Sequence, residues 1–137
     1  MSKKLNVLLI EDNIIELMKM KRTVSFLKLE HQITEAKNAE VALEILEDNN
    51  HLPDLILLDL NMPKISGIEF LSILKNREEF SNIPTVILTT SNNQKDLEEC
   101  YRIGVSGYIL KPLKYDEYIN KIEKVLSYWS INELNKN

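Results

Sequence analysis

The four residues Leu55-Ile56-Leu57-Leu58 leave this chain few architectures to choose from. So short an apolar run, followed by the turn-forming residues Asn61, Pro63 and Gly67, is a strand rather than a helix. It offers no polar position to water, so both faces of that strand must be covered. Similar runs occur at residues 5–10, 85–88 and, more weakly, 108–110, and residues 31–36 read as a half-exposed fifth strand. Between the runs, apolar residues recur at helical spacing. Ile14, Leu17, Met18 and Val24 mark a helix beginning near Asn13; Ala42, Ile45 and Leu46 mark a second, and Ile68, Leu71 and Leu74 a third. Leu97, Cys100 and Tyr101 give a short fourth, and Tyr115, Tyr118, Ile119, Ile122, Val125, Leu126 and Trp129 a long fifth. Five strands alternating with five helices predict an α/β fold, a doubly wound five-stranded parallel sheet with helices on both faces. The 137 residues read as one domain, with a core of about 5–129 and a polar tail, 130–137, expected to fray.

Charge and cysteine usage narrow the function. The formal net charge of −4 gives no footprint for nucleic acid or for an anionic membrane surface. The first apolar run stops at Glu11 and Asp12, too soon for a signal peptide or a membrane span. Cys100 is the only cysteine, so no internal disulfide forms and a reducing cytoplasm suits the chain.

In an open parallel sheet, ligands bind beyond the carboxyl ends of the strands. The runs end at Glu11-Asp12, at Asp59, at Thr89-Thr90 and at Lys111-Pro112. Three carboxylates, a hydroxyl and a lysine are therefore expected on one edge. Carboxylates so gathered need protonation or a cation, and Mg²⁺ suits an all-oxygen donor set. Asp59 is then an ionised oxygen nucleophile, and a lysine offsets charge on an incoming phosphoryl group. The pattern points to phosphoryl transfer onto Asp59.

The ordered motifs "VLLIEDN", "DLILLDLNMPKISG", "TVILTTS" and "GYILKP" resemble the receiver domain of two-component response regulators, a flavodoxin-like (βα)5 fold. The resemblance runs from about Leu5 to Trp129. It implies that Asp59 is the phosphoacceptor, Asp12 a metal ligand, Glu11 an acid acting through metal-bound water, and the Asn61 backbone carbonyl a further ligand of Mg²⁺. Thr89 is implied as the switch hydroxyl, Tyr108 as the switch aromatic and Lys111 as the phosphoryl-binding lysine. It also implies a cis Lys111–Pro112 bond, a histidine kinase or phosphotransfer protein as donor, and slow self-dephosphorylation rather than classical enzymatic turnover. Homodimerisation or partner docking is expected through the face of the fourth helix, fifth strand and fifth helix, with no output domain attached. Departures are small: Glu-Asp replaces Asp-Asp, Ser66 stands where aspartate is common, and Thr90 where alanine is common. The short form, "LTTS" and the late "YW" are most similar to small single-domain regulators found beside bacterial phytochromes.

Blander roles exist for each residue alone. Glu11 and Asp12 favour a helix start, Thr89 and Thr90 suit a strand, Lys111 suits a loop and Tyr108 suits packing. Their coincidence at four strand ends outweighs those separate explanations. The enzymatic rival, a haloacid-dehalogenase-type phosphohydrolase, wants a carboxylate two residues after the nucleophile, where this chain has Asn61. A flavin or nucleotide site of the same fold wants glycine after the first strand, but the glycines stand at 67, 104 and 107. His31 and His51 lie apart and suggest no zinc, and "SNNQKD" reads as a loop and helix cap.

Overall fold

The alternation of apolar runs and helical segments becomes ten elements in a computed structural model that describes residues 3–48 and 51–135. In chain order they are β1 (Asn6–Ile10), α1 (Ile14–Phe26), β2 (Gln32–Ala36), α2 (Ala39–Asp48), β3 (Leu55–Leu58), α3 (Gly67–Asn76), β4 (Thr85–Thr89), α4 (Gln94–Ile103), β5 (Gly107–Leu110) and α5 (Tyr115–Ser130). All strand pairs are parallel, in the order β2-β1-β3-β4-β5. The order reverses between β1 and β3, which opens a crevice at their carboxyl ends.

The alternation of side chains along each strand builds two cores. Leu8, Ile10, Ile56, Leu58 and Ile87 pack with Ala42, Phe70, Leu71, Leu74 and Cys100 of α2, α3 and α4. Val7, Leu9, Leu55, Leu57, Val86 and Leu88 pack with Met20, Val24, Tyr118, Ile122 and Leu126 of α1 and α5. β3 is buried along its whole length, as its apolar run requires, whereas the edge strand β2 is half-buried.

Helix ends follow local chemistry. Asn13 caps α1 through Ile15 N–H, and Asn93 caps α4 through Lys95 and Asp96 N–H. Ser66 and Glu69 form a reciprocal capping box on α3, so serine caps that helix where aspartate is common. His31 has a structural partner, its Nδ1 accepting Leu5 N–H at 2.9 Å.

Four expectations are corrected. Ile14 and Met18 are exposed by 68% and 58%, and α1 instead buries Met20, Thr23 and Val24. Ile14 is the first residue of α1, and Met18 stands one turn after it on the same exposed side. In α4, Cys100 faces the core but Tyr101 does not, and Cys100 is the only buried residue of that helix. Ser130 is no part of a loose tail: it ends α5, is 3% exposed, and its carbonyl accepts Lys3 N–H at 2.8 Å. No described peptide bond is cis, so Lys111–Pro112 is trans. The two isomers of an X–Pro bond differ by only about 0.5–1 kcal/mol, too little for sequence to decide.

Gly67 sets the crevice wall. A β-carbon there would stand 2.4 Å from the Asp59 carbonyl oxygen and 2.6 Å from Leu60 Cα, both backbone atoms. Its N–H donates to the Leu60 carbonyl at 3.1 Å. Gly67→Ala is expected to destabilise the fold by about 1–3 kcal/mol, the usual cost of overpacking. Urea unfolding checks this; a midpoint equal to wild type would show that α3 does not approach β3 so closely.

Candidate functional site

Register brings the polar residues together. Ile10 pairs with Leu58, so the next residues, Glu11 and Asp59, emerge side by side, and Asp59 N–H donates to the Ile10 carbonyl at 3.1 Å. Leu110 pairs with Thr89, and Lys111 N–H then donates to the Thr89 carbonyl at 2.8 Å. Glu11, Asp59 and Lys111 extend the alternation of Leu9, Leu57 and Ile109, which belong to the α1/α5 core. Thr89 and Tyr108 extend that of Ile87, and Tyr108 packs on the α2/α3/α4 core. The charged residues and the pair Thr89 and Tyr108 are thus sorted to opposite faces of the sheet.

Glu11 and Asp59 are 3% and 6% exposed, whereas Asp12 is open to solvent. Each of the three offers a carboxylate oxygen within 4.8 Å of the others, a hard-oxygen cluster able to take a divalent cation. Asn61 is exposed in the loop after β3.

Lys111 supplies the countercharge. Its Nζ donates to Glu11 Oε1 at 2.5 Å, and Glu11 Oε2 accepts Asn13 N–H at 3.2 Å. Burial pushes the Glu11 carboxyl up to about 7; Lys111 pulls it down, and the nearby Asp59 charge pushes it up. Burial alone would lower the Lys111 pKa, but Glu11, Asp59 and Glu16 together hold it above its ordinary value.

On the other face, Thr89 is fully buried and its Oγ1 accepts Ser91 N–H at 3.2 Å, leaving the hydroxyl proton free to donate elsewhere. Tyr108 OH donates to the Ser91 carbonyl at 2.8 Å. Ser91 therefore joins both residues through its backbone, and Ser91 Oγ donates to Asp96 in α4 at 2.8 Å.

All the expected side chains reach this edge. Sequence reasoning missed Ser91, whose role lies in backbone groups that carry no residue signature. It also missed Glu16 in the first turn of α1, whose Oε1 lies 3.3 Å from Lys111 Nζ. Its signal, an acid one helical turn after Asp12, is that of an ordinary helix start.

A family model described as the response regulator receiver domain matches residues 7–123. The chain belongs to that family. This receiver is 35% identical over 127 residues to the probable methanogenesis regulatory protein FilR2 of Methanothrix harundinacea, covering 90% of this chain and 82% of that one. It is 29% identical over 128 residues to the response regulator Rcp1 of Synechocystis, covering 90% and 87%. Its fold matches the phosphorylated cyanobacterial phytochrome response regulator RcpA with a TM-score of 0.90 at 28% identity, covering 98% of this chain and 100% of that one. The Mn²⁺-bound form of Rcp1 matches with a TM-score of 0.86 at 27% identity, covering 96% and 99%. Receivers are signalling modules of two-component systems rather than classical enzymes. No helix among the described residues of this receiver is long and apolar enough to cross a membrane.

A cation held by few protein ligands keeps much of its hydration, so affinity on the order of millimolar is expected. Titration with Mg²⁺ should shift the amide resonances around Asp12 and Asp59, and Asp12→Ala should abolish the shifts. Unchanged wild-type spectra across that range would exclude the site.

Proposed function

We propose that this receiver accepts a phosphoryl group on Asp59 from a histidine kinase or phosphotransfer protein, and that the modification switches a protein-binding surface. The observation that carries the reading is a buried carboxylate flanked by two further acids and by the Lys111 ammonium. An Asp59 oxygen forms the new O–P bond as the donor's P–N bond breaks, and the imidazole nitrogen keeps the electron pair. Asp59 acts here as an ionised nucleophile and needs no base to activate it.

The residues fit a hard divalent cation, and the similar receiver Rcp1 has an Mn²⁺-bound form. Mg²⁺ would be held by Asp12, Asp59 and the Asn61 carbonyl, with Glu11 acting through water. When bound, it would offset charge on the transferring phosphoryl oxygens. Lys111 adds a charge-assisted contact to the same oxygens. Ile14, Ile15 and Leu113, close in the chain to Asp12 and Lys111, are 68%, 64% and 99% exposed and would offer an approaching donor apolar contacts.

Phosphorylation adds about −1.5 to −2 charge, and a responsive element must feel it. The Thr89 hydroxyl proton turns to a phosphoryl oxygen and draws on the Ser91 backbone, to which Tyr108 is tethered. α4 follows easily, since its buried contact rests on Cys100. The change is read on the face of α4, β5 and α5, where Tyr108, Leu110, Lys121 and Val125 line a shallow groove of about 430 Å³. Homodimerisation or partner docking belongs there, in the cytoplasm, without nucleic acid or membrane. Slow loss of the phosphoryl group returns the resting state.

Incubation with acetyl phosphate and Mg²⁺ should add one base-labile phosphoryl mass, absent in Asp59→Asn. Equal uptake by that variant would overturn the assignment. Thr89→Ala should still be phosphorylated, because its hydroxyl is neither nucleophile nor ligand. It should, however, lose any change in self-association or partner capture that beryllofluoride produces in the wild type. A wild-type response in Thr89→Ala, by sedimentation, would place the switch elsewhere.

A further inference from the structure

Lys111 stands between two acids of different standing. Its Nζ lies 2.5 Å from Glu11 Oε1 and 3.3 Å from Glu16 Oε1. The second contact is an ion pair without hydrogen-bond alignment: Glu16 Oε1 is buried and has no hydrogen-bond partner. The other Glu16 oxygen accepts from Lys19 Nζ at 3.3 Å. Lys19 in turn lies over the Tyr118 ring, 4.4 Å from its centroid, and that ring is 1% exposed and stacked on Tyr115. Glu16 is thus anchored on α1 by a partner that is itself pinned to α5. Lys111, by contrast, reaches the site from the loop after β5 on a flexible four-carbon stem. When charge grows on Asp59, the ammonium is the group free to move.

We propose that Glu16 is a positioning residue that acts through Lys111: it shares the resting ammonium with Glu11 and competes for it with a phosphoryl group on Asp59. The inference rests on the reading of Lys111 as the phosphoryl-binding lysine. An ammonium has three N–H donors, and one already serves Glu11. Turning the others toward phosphoryl oxygens gives up attraction to a carboxylate that cannot follow. Glu16 therefore sets how readily the site changes state, without touching the reacting atoms.

The test measures the affinity of beryllofluoride at saturating Mg²⁺, read from the amide resonances of Asp59 and Thr89. Glu16→Gln keeps the shape and removes the charge, and should tighten the mimic about fivefold, the upper end for a partly exposed ion pair. Glu16→Asp keeps the charge but draws it back by one methylene, and should fall between wild type and Glu16→Gln. In a Lys111→Met background both changes should vanish, which a purely structural role for Glu16 would not produce. Unchanged or weaker affinity in Glu16→Gln, or the same tightening without Lys111, overturns the proposal. Lys111→Met alone with wild-type affinity would instead overturn the reading of Lys111, a result distinguishable from failure at Glu16. Thermal unfolding establishes that each variant is folded. Should Glu16→Gln not fold, Glu16→Asp carries the same test, with tightening short of fivefold in support and none against.

Discussion

Two carboxylates at the end of the central strands, 3% and 6% exposed, persist in a folded chain because an ammonium lies among them. The Lys111 side chain is itself only 7% exposed, and it meets a Glu11 side chain that is 4% exposed. Removing either partner would leave a buried charge uncompensated, which is far costlier than the pair is beneficial. Even with Lys111 in place, burial keeps the Glu11 carboxyl at about 7. Asp12 and Asp59 add two further carboxylates within 4.8 Å, and a site for a hard cation follows from that gathering of oxygens. Parallel strand order, the register of β1 with β3, and the close approach permitted by Gly67 all converge on holding these groups together.

The period of two along a strand does more than bury apolar residues. It sends Glu11, Asp59 and Lys111 toward one helical layer, and Thr89 and Tyr108 toward the other. The two sets meet at the carboxyl edge, where Lys111 N–H donates to the Thr89 carbonyl. Ser91 is a narrow bridge on the second face, because one residue's N–H and carbonyl serve both Thr89 and Tyr108. An element able to change place needs few buried contacts, and α4, with a single buried residue, has the fewest of the five helices.

Much of this is legible in residue types alone. The run of residues 55–58 demands a doubly covered strand, and the polar residues closing each run mark the crevice. Those signals survive because burial and strand-end position are local properties of the chain. The misplaced faces of α1 and α4 have a common cause. Ile14, Met18 and Tyr101 are apolar by composition, but Ile14 and Met18 stand one helical turn apart on the exposed side of α1 and Tyr101 adjoins the buried Cys100, so residue type alone does not fix which side of a helix meets the sheet. The isomer at Pro112 turns on an energy difference smaller than tertiary packing. Glu16 and Ser91 are invisible for another reason: their roles depend on what the fold brings near them, and neither residue type announces a neighbour distant in the chain.

Distance along the chain also has a kinetic meaning. The Glu11–Lys111 contact spans 100 residues. Closing a loop of that length precedes any reward from the contact, and such high contact order slows folding. As synthesis proceeds from the N-terminus, Glu11, Asp12 and Asp59 are all made before the lysine that neutralises them. Until β5 joins the sheet, the growing chain carries mutually repelling acids that favour hydration over docking. The carboxylate cluster thus becomes coherent only after β5 has joined the sheet, late in the growth of the chain.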